Sequence, residues 1–182
     1  CRRNSTDAAI AIAWLKRVLG DNFAEEIRQT TTEKYPERIA IIGAGPAGLA
    51  AANDLALLGY SCTIFESNAT PGGMLRMGVP PYRLPRKAID NDVEFIKKLG
   101  VEIQYNTTLG TDITFDRLEK DGFAVIFIGV GLLESRTLNI EGVQLEGVLK
   151  GVSFLHEVNT TGSARIGKNV LVIGGGAVAM DC

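Results

Sequence analysis

Residues 38–48, which read RIAIIGAGPAG, decide the fold. After Arg38 come four apolar residues, three of them β-branched isoleucines, as expected for a buried parallel strand, and a glycine-rich turn follows at once. Residues 49–58 are rich in alanine and predict a helix that Gly59 ends, and residues 61–65 predict a second strand. The segment therefore predicts a βαβ unit of about 30 residues and an α/β protein of the Rossmann-like class.

The glycine pattern Gly43-x-Gly45-x-x-Gly48 is typical of a dinucleotide-binding turn. The first glycine permits the tight turn, the second lets a pyrophosphate approach the backbone, and the third lets the helix pack close to the strand. The N–H groups at the start of the helix near Pro46 would hold the phosphates. Glu66, at the end of the second strand, is placed to accept hydrogen bonds from a ribose. Because a carboxylate there repels a 2′-phosphate, FAD or NAD is expected at this turn rather than NADP. The alternative is a tight turn that serves the fold alone.

A second turn of this kind closes the chain. Residues 169–173 predict a buried strand, and Gly174-x-Gly176-x-x-Ala179 follows, a dinucleotide pattern in which alanine replaces the third glycine. The sequence stops before the position where an acid would indicate NAD and an arginine NADP. A strand-turn-helix without a ligand is the alternative.

Composition narrows the class of protein. The 182 residues carry a net charge of −2, which argues against a dedicated nucleic-acid binder. No apolar run approaches the roughly 18 residues of a membrane span. The three cysteines, Cys1, Cys62 and Cys182, form no C-x-x-C pair and predict a reducing, cytoplasmic setting.

Single residues outside the turns have simpler interpretations. The amphipathic N-terminal part predicts a helix that begins after Ser5 or Thr6 and ends at Gly20. Trp14 is expected to be the core anchor of this helix. Cys62 is interpreted as a small buried hydrophobe within a strand. His156, the only histidine, is expected on the surface of a helix over residues 150–158, because nothing pairs with it in sequence. Further predicted elements are a helix over residues 85–99 and strands over residues 101–105 and 123–128.

Several blocks together resemble the glutamate synthase small subunit family, which includes the flavin half of dihydropyrimidine dehydrogenase and the flavin subunits of electron-bifurcating complexes. The likeness covers nearly the whole chain. Its blocks are the first turn through Glu66, Pro71-Gly72-Gly73-Met74-Leu75, Gly78-Val79-Pro80, Tyr82-Arg83-Leu84-Pro85 and Gly174-Gly175-Gly176.

The resemblance implies a domain organisation. Family members carry a helical domain with 4Fe-4S clusters, followed by an FAD domain into which an NAD(P)H domain is inserted. Residues 1–35 would be the end of the helical iron-sulfur domain, residues 36–166 the first segment of the FAD domain and residues 167–182 the start of the NAD(P)H domain. The start at Cys1 and the stop early in a helix predict a chain truncated at both ends.

The resemblance also implies roles for single residues. Cys1 would be the last cysteine of a cluster motif whose other ligands precede it. Residues implied to contact NAD(P)H are Gly174, Gly175, Gly176 and Ala179. Residues implied to contact FAD are Gly43, Ala44, Gly45, Pro46, Ala47, Gly48, Glu66, Gly73, Met74, Arg83, Leu109, Gly129 and Gly131. Gly129 departs from the family, in which alanine commonly stands at this position.

The implied activity is that of a flavin-dependent oxidoreductase subunit. It would take hydride from NADPH or NADH onto FAD and pass electrons through iron-sulfur clusters to an electron-accepting subunit or a ferredoxin-like protein, within a hetero-oligomer. No side-chain nucleophile is needed, since the cofactor performs the chemistry. Two alternatives stay open: a non-catalytic FAD-binding scaffold, and a thioredoxin reductase-like enzyme whose cysteine pair lies outside this sequence.

Overall fold

A computed structural model describes residues 2–23, 34–135 and 137–182. The chain divides into two compact units, Cys1–Thr30 and Thr31–Cys182. No helix in these described ranges is both long and apolar enough to cross a bilayer.

The first unit contains a short 3₁₀ helix, Arg2–Ser5, and helix α1, Ile12–Phe23. Three predictions about it are wrong. The helix begins later than Ser5 or Thr6, and it continues through Gly20, because a glycine inside a helix costs only about 1 kcal/mol and need not end it. Trp14 is 68% exposed and is therefore not a core anchor among the described residues.

The second unit is built on a parallel sheet with the strand order β3-β2-β1-β4. Its strands are β1 (Arg38–Ile42), β2 (Ser61–Phe65), β3 (Glu102–Gln104) and β4 (Phe123–Ile128). Ile41 in β1 pairs with Ile64 in β2 on one side and with Phe127 in β4 on the other. In a parallel sheet all carboxyl ends meet at one edge, so the turns that leave β1, β2 and β4 are neighbours.

Helices cover both faces of the sheet. Helices α2 (Pro46–Leu57) and α4 (Arg86–Lys98) pack on one face, where Ile41 and Ile64 are fully buried. Helix α5 (Phe115–Lys120) packs on the other, where Leu118 meets Ala40, Ile42 and two aromatic side chains. The alternation of buried side chains along β1 therefore supplies both layers of the core.

Among the described residues of the second unit, three further helices are α3 (Met74–Met77), α6 (Gly151–Thr161) and α7 (Ala177–Asp181). The predicted strand over residues 169–173 is not formed. Val170, Leu171 and Ile173 are each more than half exposed, and no strand among the described residues pairs with this segment. A strand is defined by its hydrogen-bonded neighbour, so an apolar sequence alone does not create one.

Candidate functional site

The first glycine turn leaves β1 in a conformation that only glycines accommodate. Gly43 has a φ of +101°, and a Cβ atom placed there would lie 2.6 Å from the carbonyl oxygen of Gly129. A Cβ atom at Gly48 would collide with the carbonyl oxygen of Gly43. The sequence-based roles of these two glycines, a tight turn and close helix packing, match this geometry.

Glu66 is buried at the end of β2, with only 4% exposure, and it organises the turn. One carboxylate oxygen accepts a hydrogen bond of 2.7 Å from the N–H of Ala44 inside the glycine turn. The other accepts two from Asn68, at 2.9 Å from the backbone N–H and at 2.7 Å from the side-chain amide. A buried carboxylate needs such donors. Sequence reasoning missed Asn68, although an Asx residue two positions after the acid was a signal for it.

The segment around Gly73 lies directly over the first turn. Gly73 has a φ of +51°, and a Cβ atom there would lie 2.8 Å from the Cα of Gly45. The N–H of Gly72 donates to the carbonyl of Ala44 over 2.8 Å. Met74 then begins α3. Gly45 and Gly73, which are far apart in sequence, therefore form one glycine-lined surface.

Two arginines fix this overlying segment. Arg76 donates to the carbonyl of Pro71 over 2.6 Å. Arg86 donates to the carbonyl of Val79 over 3.0 Å and to the side-chain oxygen of Asn159 in α6 over 2.9 Å. Burial, and secondarily the charge of Arg76, lowers the pKa of Arg86. These bonds satisfy carbonyls of a segment that has only one helical turn of its own.

The turn after β4 completes the rim of the first site. The N–H of Gly129 donates to the carbonyl of Ile42 over 2.8 Å, which holds this turn beside the exit of β1. Gly131 has a φ of +74° and open space where a side chain would be. Leu109 is half-buried and packs against the core on the α5 face.

The second glycine turn repeats the backbone of the first. Gly174 has a φ of +126°, against +101° at Gly43. Gly176 caps α7 with φ and ψ of −80° and 177°, and Gly45 caps α2 with −75° and −179°. Ala179 stands at the position that corresponds to Gly48, and its Cβ is the nearest atom to a Cβ placed at Gly174, at 3.4 Å. The two turns therefore share one conformation and differ in how closely their helices pack.

The structure places the side chain of Arg83 against α7. Its side chain, about half exposed, makes an ion pair with Asp181 of α7. A hydrogen bond from Arg83 to Asp181 and the charge of that carboxylate raise the pKa of Arg83. The structure thus joins Arg83 to the helix that follows the second glycine turn, a contact across 98 residues.

The remaining candidates are single residues. Cys1 lies outside the described residues, and within those residues no group of three or more His, Cys, Asp or Glu side chains is placed to hold a metal ion. His156 is exposed on α6, as expected. Cys62 is buried, also as expected, and burial raises the pKa of its thiol to about 11.

The first turn fits the ADP half of a dinucleotide. Gly45 carries no side chain at the start of α2, and a Cβ atom there would meet its nearest neighbour, the Cα of Gly73, at 3.9 Å. The first N–H groups of the twelve-residue helix α2, at Ala47 and Gly48, have no acceptor within the helix. Pro46 occupies the first helical position, where a missing N–H costs nothing. The carboxylate of Glu66 lies at the end of the adjacent strand. These features define a dinucleotide-binding protein of the Rossmann-like class.

Comparison with known proteins places the chain in a family. A family model described as pyridine nucleotide-disulphide oxidoreductase matches residues 37–182, so the chain belongs to that family. The NADP(+)-dependent formate dehydrogenase subunit beta of Moorella thermoacetica is 40% identical over the whole chain, which spans 29% of it. The NAD-dependent dihydropyrimidine dehydrogenase subunit PreT of Escherichia coli is also 40% identical, and the chain spans 44% of it. These relatives confirm the resemblance predicted from the sequence.

Two solved structures support the fold. FprA, an oxidoreductase of Mycobacterium tuberculosis solved in complex with NADPH, is 29% identical with a TM-score of 0.59, covering 69% of this chain and 29% of its own. A 2-naphthoyl-CoA reductase is 26% identical with a TM-score of 0.65, covering 84% of this chain and 22% of its own. The predicted α/β, Rossmann-like class is confirmed.

Proposed function

We propose that this chain is the dinucleotide-binding part of a flavin-dependent NAD(P)H oxidoreductase subunit. The first glycine turn would hold the ADP half of FAD, and the second would hold NADPH or NADH. The observation that carries the proposal is the geometry of the first turn, in which the start of α2, whose first N–H groups have no acceptor within the helix, lies beside the buried, oriented carboxylate of Glu66. FAD, when bound, supplies the N5 atom that accepts hydride from C4 of the nicotinamide.

The chain's own residues bind and orient the cofactors. Glu66 would accept hydrogen bonds from the adenosine ribose, and the N–H groups at the start of α2 would bind the pyrophosphate. Met74, which begins α3 beside Gly73, and Leu109 would cover apolar parts of the flavin. Gly129 and Gly131 would let the flavin approach the end of β4, as close contact needs positions without a side chain.

We also propose that the electrons leave through iron-sulfur clusters to another protein. Relatives named as beta subunits or as subunit PreT belong to assemblies of several chains, which supports a hetero-oligomer with an electron-accepting partner. Cys1 is proposed as a 4Fe-4S ligand and the interior of the cell as the location, the latter on the cysteine pattern. The division into iron-sulfur, FAD and NAD(P)H domains at residues 35 and 166 remains a prediction.

The test is the visible spectrum of the natively purified full-length protein, before and after anaerobic NADPH or NADH. Flavin absorption that bleaches on addition supports the proposal. Flavin absorption that dithionite bleaches and neither nucleotide does would favour the non-catalytic scaffold. A colourless protein without bound FAD would refute the assignment of the first turn.

A variant makes this test specific to the first turn. A Cβ atom at Gly45 would lie 3.9 Å from its nearest neighbour, the Cα of Gly73, so Gly45→Ala leaves the fold intact but puts a methyl group where the pyrophosphate approaches. We expect Gly45→Ala to lower the FAD content of the purified protein at unchanged circular dichroism. Gly20→Ala, the same change in open space on α1, is the control and should retain full FAD.

A further inference from the structure

Asp181 is the best-buried charged group near the second glycine turn. Its side chain is 8% exposed, although it lies on the short helix α7. Arg83 donates to one of its carboxylate oxygens, and the hydroxyl of Tyr82 lies 3.4 Å from the same oxygen. A carboxylate taken out of water needs such partners, because an unpaired buried charge is strongly unfavourable. The pair therefore couples α7 to the segment that contains Tyr82 and Arg83.

A second contact fixes α7 from another side. Gly151 begins α6, and a Cβ atom there would lie 2.9 Å from the Val178 side chain and 3.2 Å from the sulfur of Cys182. The absence of a side chain at Gly151 thus allows α7 to approach the start of α6. Residues 169–173 pair with no strand in the described part of the chain, and these contacts of α7 join the second turn to α6 and to Arg83.

The segment that carries Arg83 is itself anchored to the first turn. It continues from Gly73, which touches Gly45, through α3 to Val79, whose N–H donates to Met74 and whose carbonyl accepts from Arg86. A continuous series of contacts therefore runs from the first glycine turn, through residues 73–83, to α7 and the second glycine turn. Such contacts between rigid elements can fix the orientation of two sites relative to each other.

We propose that Arg83 is a positioning residue that holds the second glycine turn in a fixed orientation to the first through its ion pair with Asp181. It would thereby set how the nicotinamide nucleotide meets the flavin. This inference rests on the proposed function and changes the role of Arg83, which the family resemblance gives as a direct FAD contact. Hydride transfer is sensitive to orientation, so loss of the pair should slow flavin reduction while FAD stays bound.

The experiment uses the full-length holoprotein and four variants: Arg83→Gln, Asp181→Asn, the double variant and Arg83→Lys. Flavin reduction is followed by anaerobic stopped flow over a range of NADPH concentrations. We expect Arg83→Gln and Asp181→Asn each to lower the ratio of limiting rate to apparent Kd about tenfold. The double variant should be no slower than either single variant, because both changes remove the same interaction. Arg83→Lys should recover part of the rate.

Arg117→Gln is the matched control, since Arg117 lies on α5, on the other side of the sheet from α2 and α4, and pairs with Asp121 over 2.9 Å. It should reduce at the wild-type rate. FAD content and reduction by dithionite should be unchanged in all variants.

Two outcomes would overturn the inference. Loss of FAD from Arg83→Gln would show a direct flavin contact. Flavin reduction at the wild-type rate in both single variants would show that the ion pair does not affect hydride transfer. A wild-type flavin that NADPH and NADH leave oxidised would instead overturn the proposed function, so the two failures are distinguishable.

Discussion

Replacement of Glu66 by glutamine should loosen the first glycine turn even before any cofactor binds. The two carboxylate oxygens accept from three N–H groups, one of Ala44 and two of Asn68. Glutamine has one acceptor oxygen and one NH₂ group in the same space. If the oxygen faces Asn68, the NH₂ group faces the N–H of Ala44 over about 2.7 Å, donor against donor. The reverse orientation sets the NH₂ group against Asn68.

The magnitude follows from one buried donor left without an acceptor. Such a group costs about 1 to 3 kcal/mol, so we expect the free energy of unfolding to fall by about 2 kcal/mol for Glu66→Gln. For a chain of this size that corresponds to a Tm lower by about 4 to 8 °C. The assay is thermal unfolding of the cofactor-free protein, followed by circular dichroism.

Glu102→Gln provides the control, because Glu102 is an exposed carboxylate on the neighbouring strand β3. Exposed substitutions of this kind change stability by no more than about 0.5 kcal/mol. If Glu66→Gln melts within 1 to 2 °C of Glu102→Gln, the bond to Ala44 does not organise the turn and the reasoning above is refuted.

Two further predictions concern the core. Gly48→Ala should lower the free energy of unfolding in urea by at least about 2 kcal/mol, because the new methyl group meets the backbone carbonyl of Gly43. Gly20→Ala, within α1, should raise it slightly. Equal effects of the two substitutions would contradict this geometry. For Cys62, the pKa of about 11 in the folded state means that the unfolded thiol loses its proton first. The free energy of unfolding should therefore be unaffected below about pH 9 and fall by about 2 kcal/mol by pH 10.5. Cys62→Ala should not show this fall when the urea unfolding of both proteins is measured across this pH range.

Local pattern was sufficient for the central βαβ unit. The bounds of β1, β2 and β4 agree with the sequence prediction, since each is a short apolar run ended by glycine or a charged residue. The helix α5 was missed, although Thr114 caps it by accepting from the N–H of Arg117 over 3.3 Å. A threonine followed by an acid two positions later is a start signal that sequence reading can use.

Features that depend on distant partners could not be read from the sequence. The run at residues 169–173 has the composition of a buried strand, yet its state depends on a neighbouring strand that no local pattern supplies. Arg83 and Asp181 lie 98 residues apart, and neither position carries a periodic signal that points to the other. Likewise Trp14 has the spacing of a core residue, but burial needs a surface to pack against.

The two glycine turns share a backbone conformation but differ in what holds them. The first turn lies between buried strands and is fixed by Glu66, Gly73 and Gly129 through hydrogen bonds and close backbone contacts. The second has exposed residues before it, and the helix after it contacts Gly151 and pairs with Arg83 through Asp181. A preorganised site loses less conformational entropy when its ligand binds. We therefore expect the first turn to keep its nucleotide bound through purification. The second turn should release its nucleotide and bind a new one, because each turnover needs a fresh hydride donor.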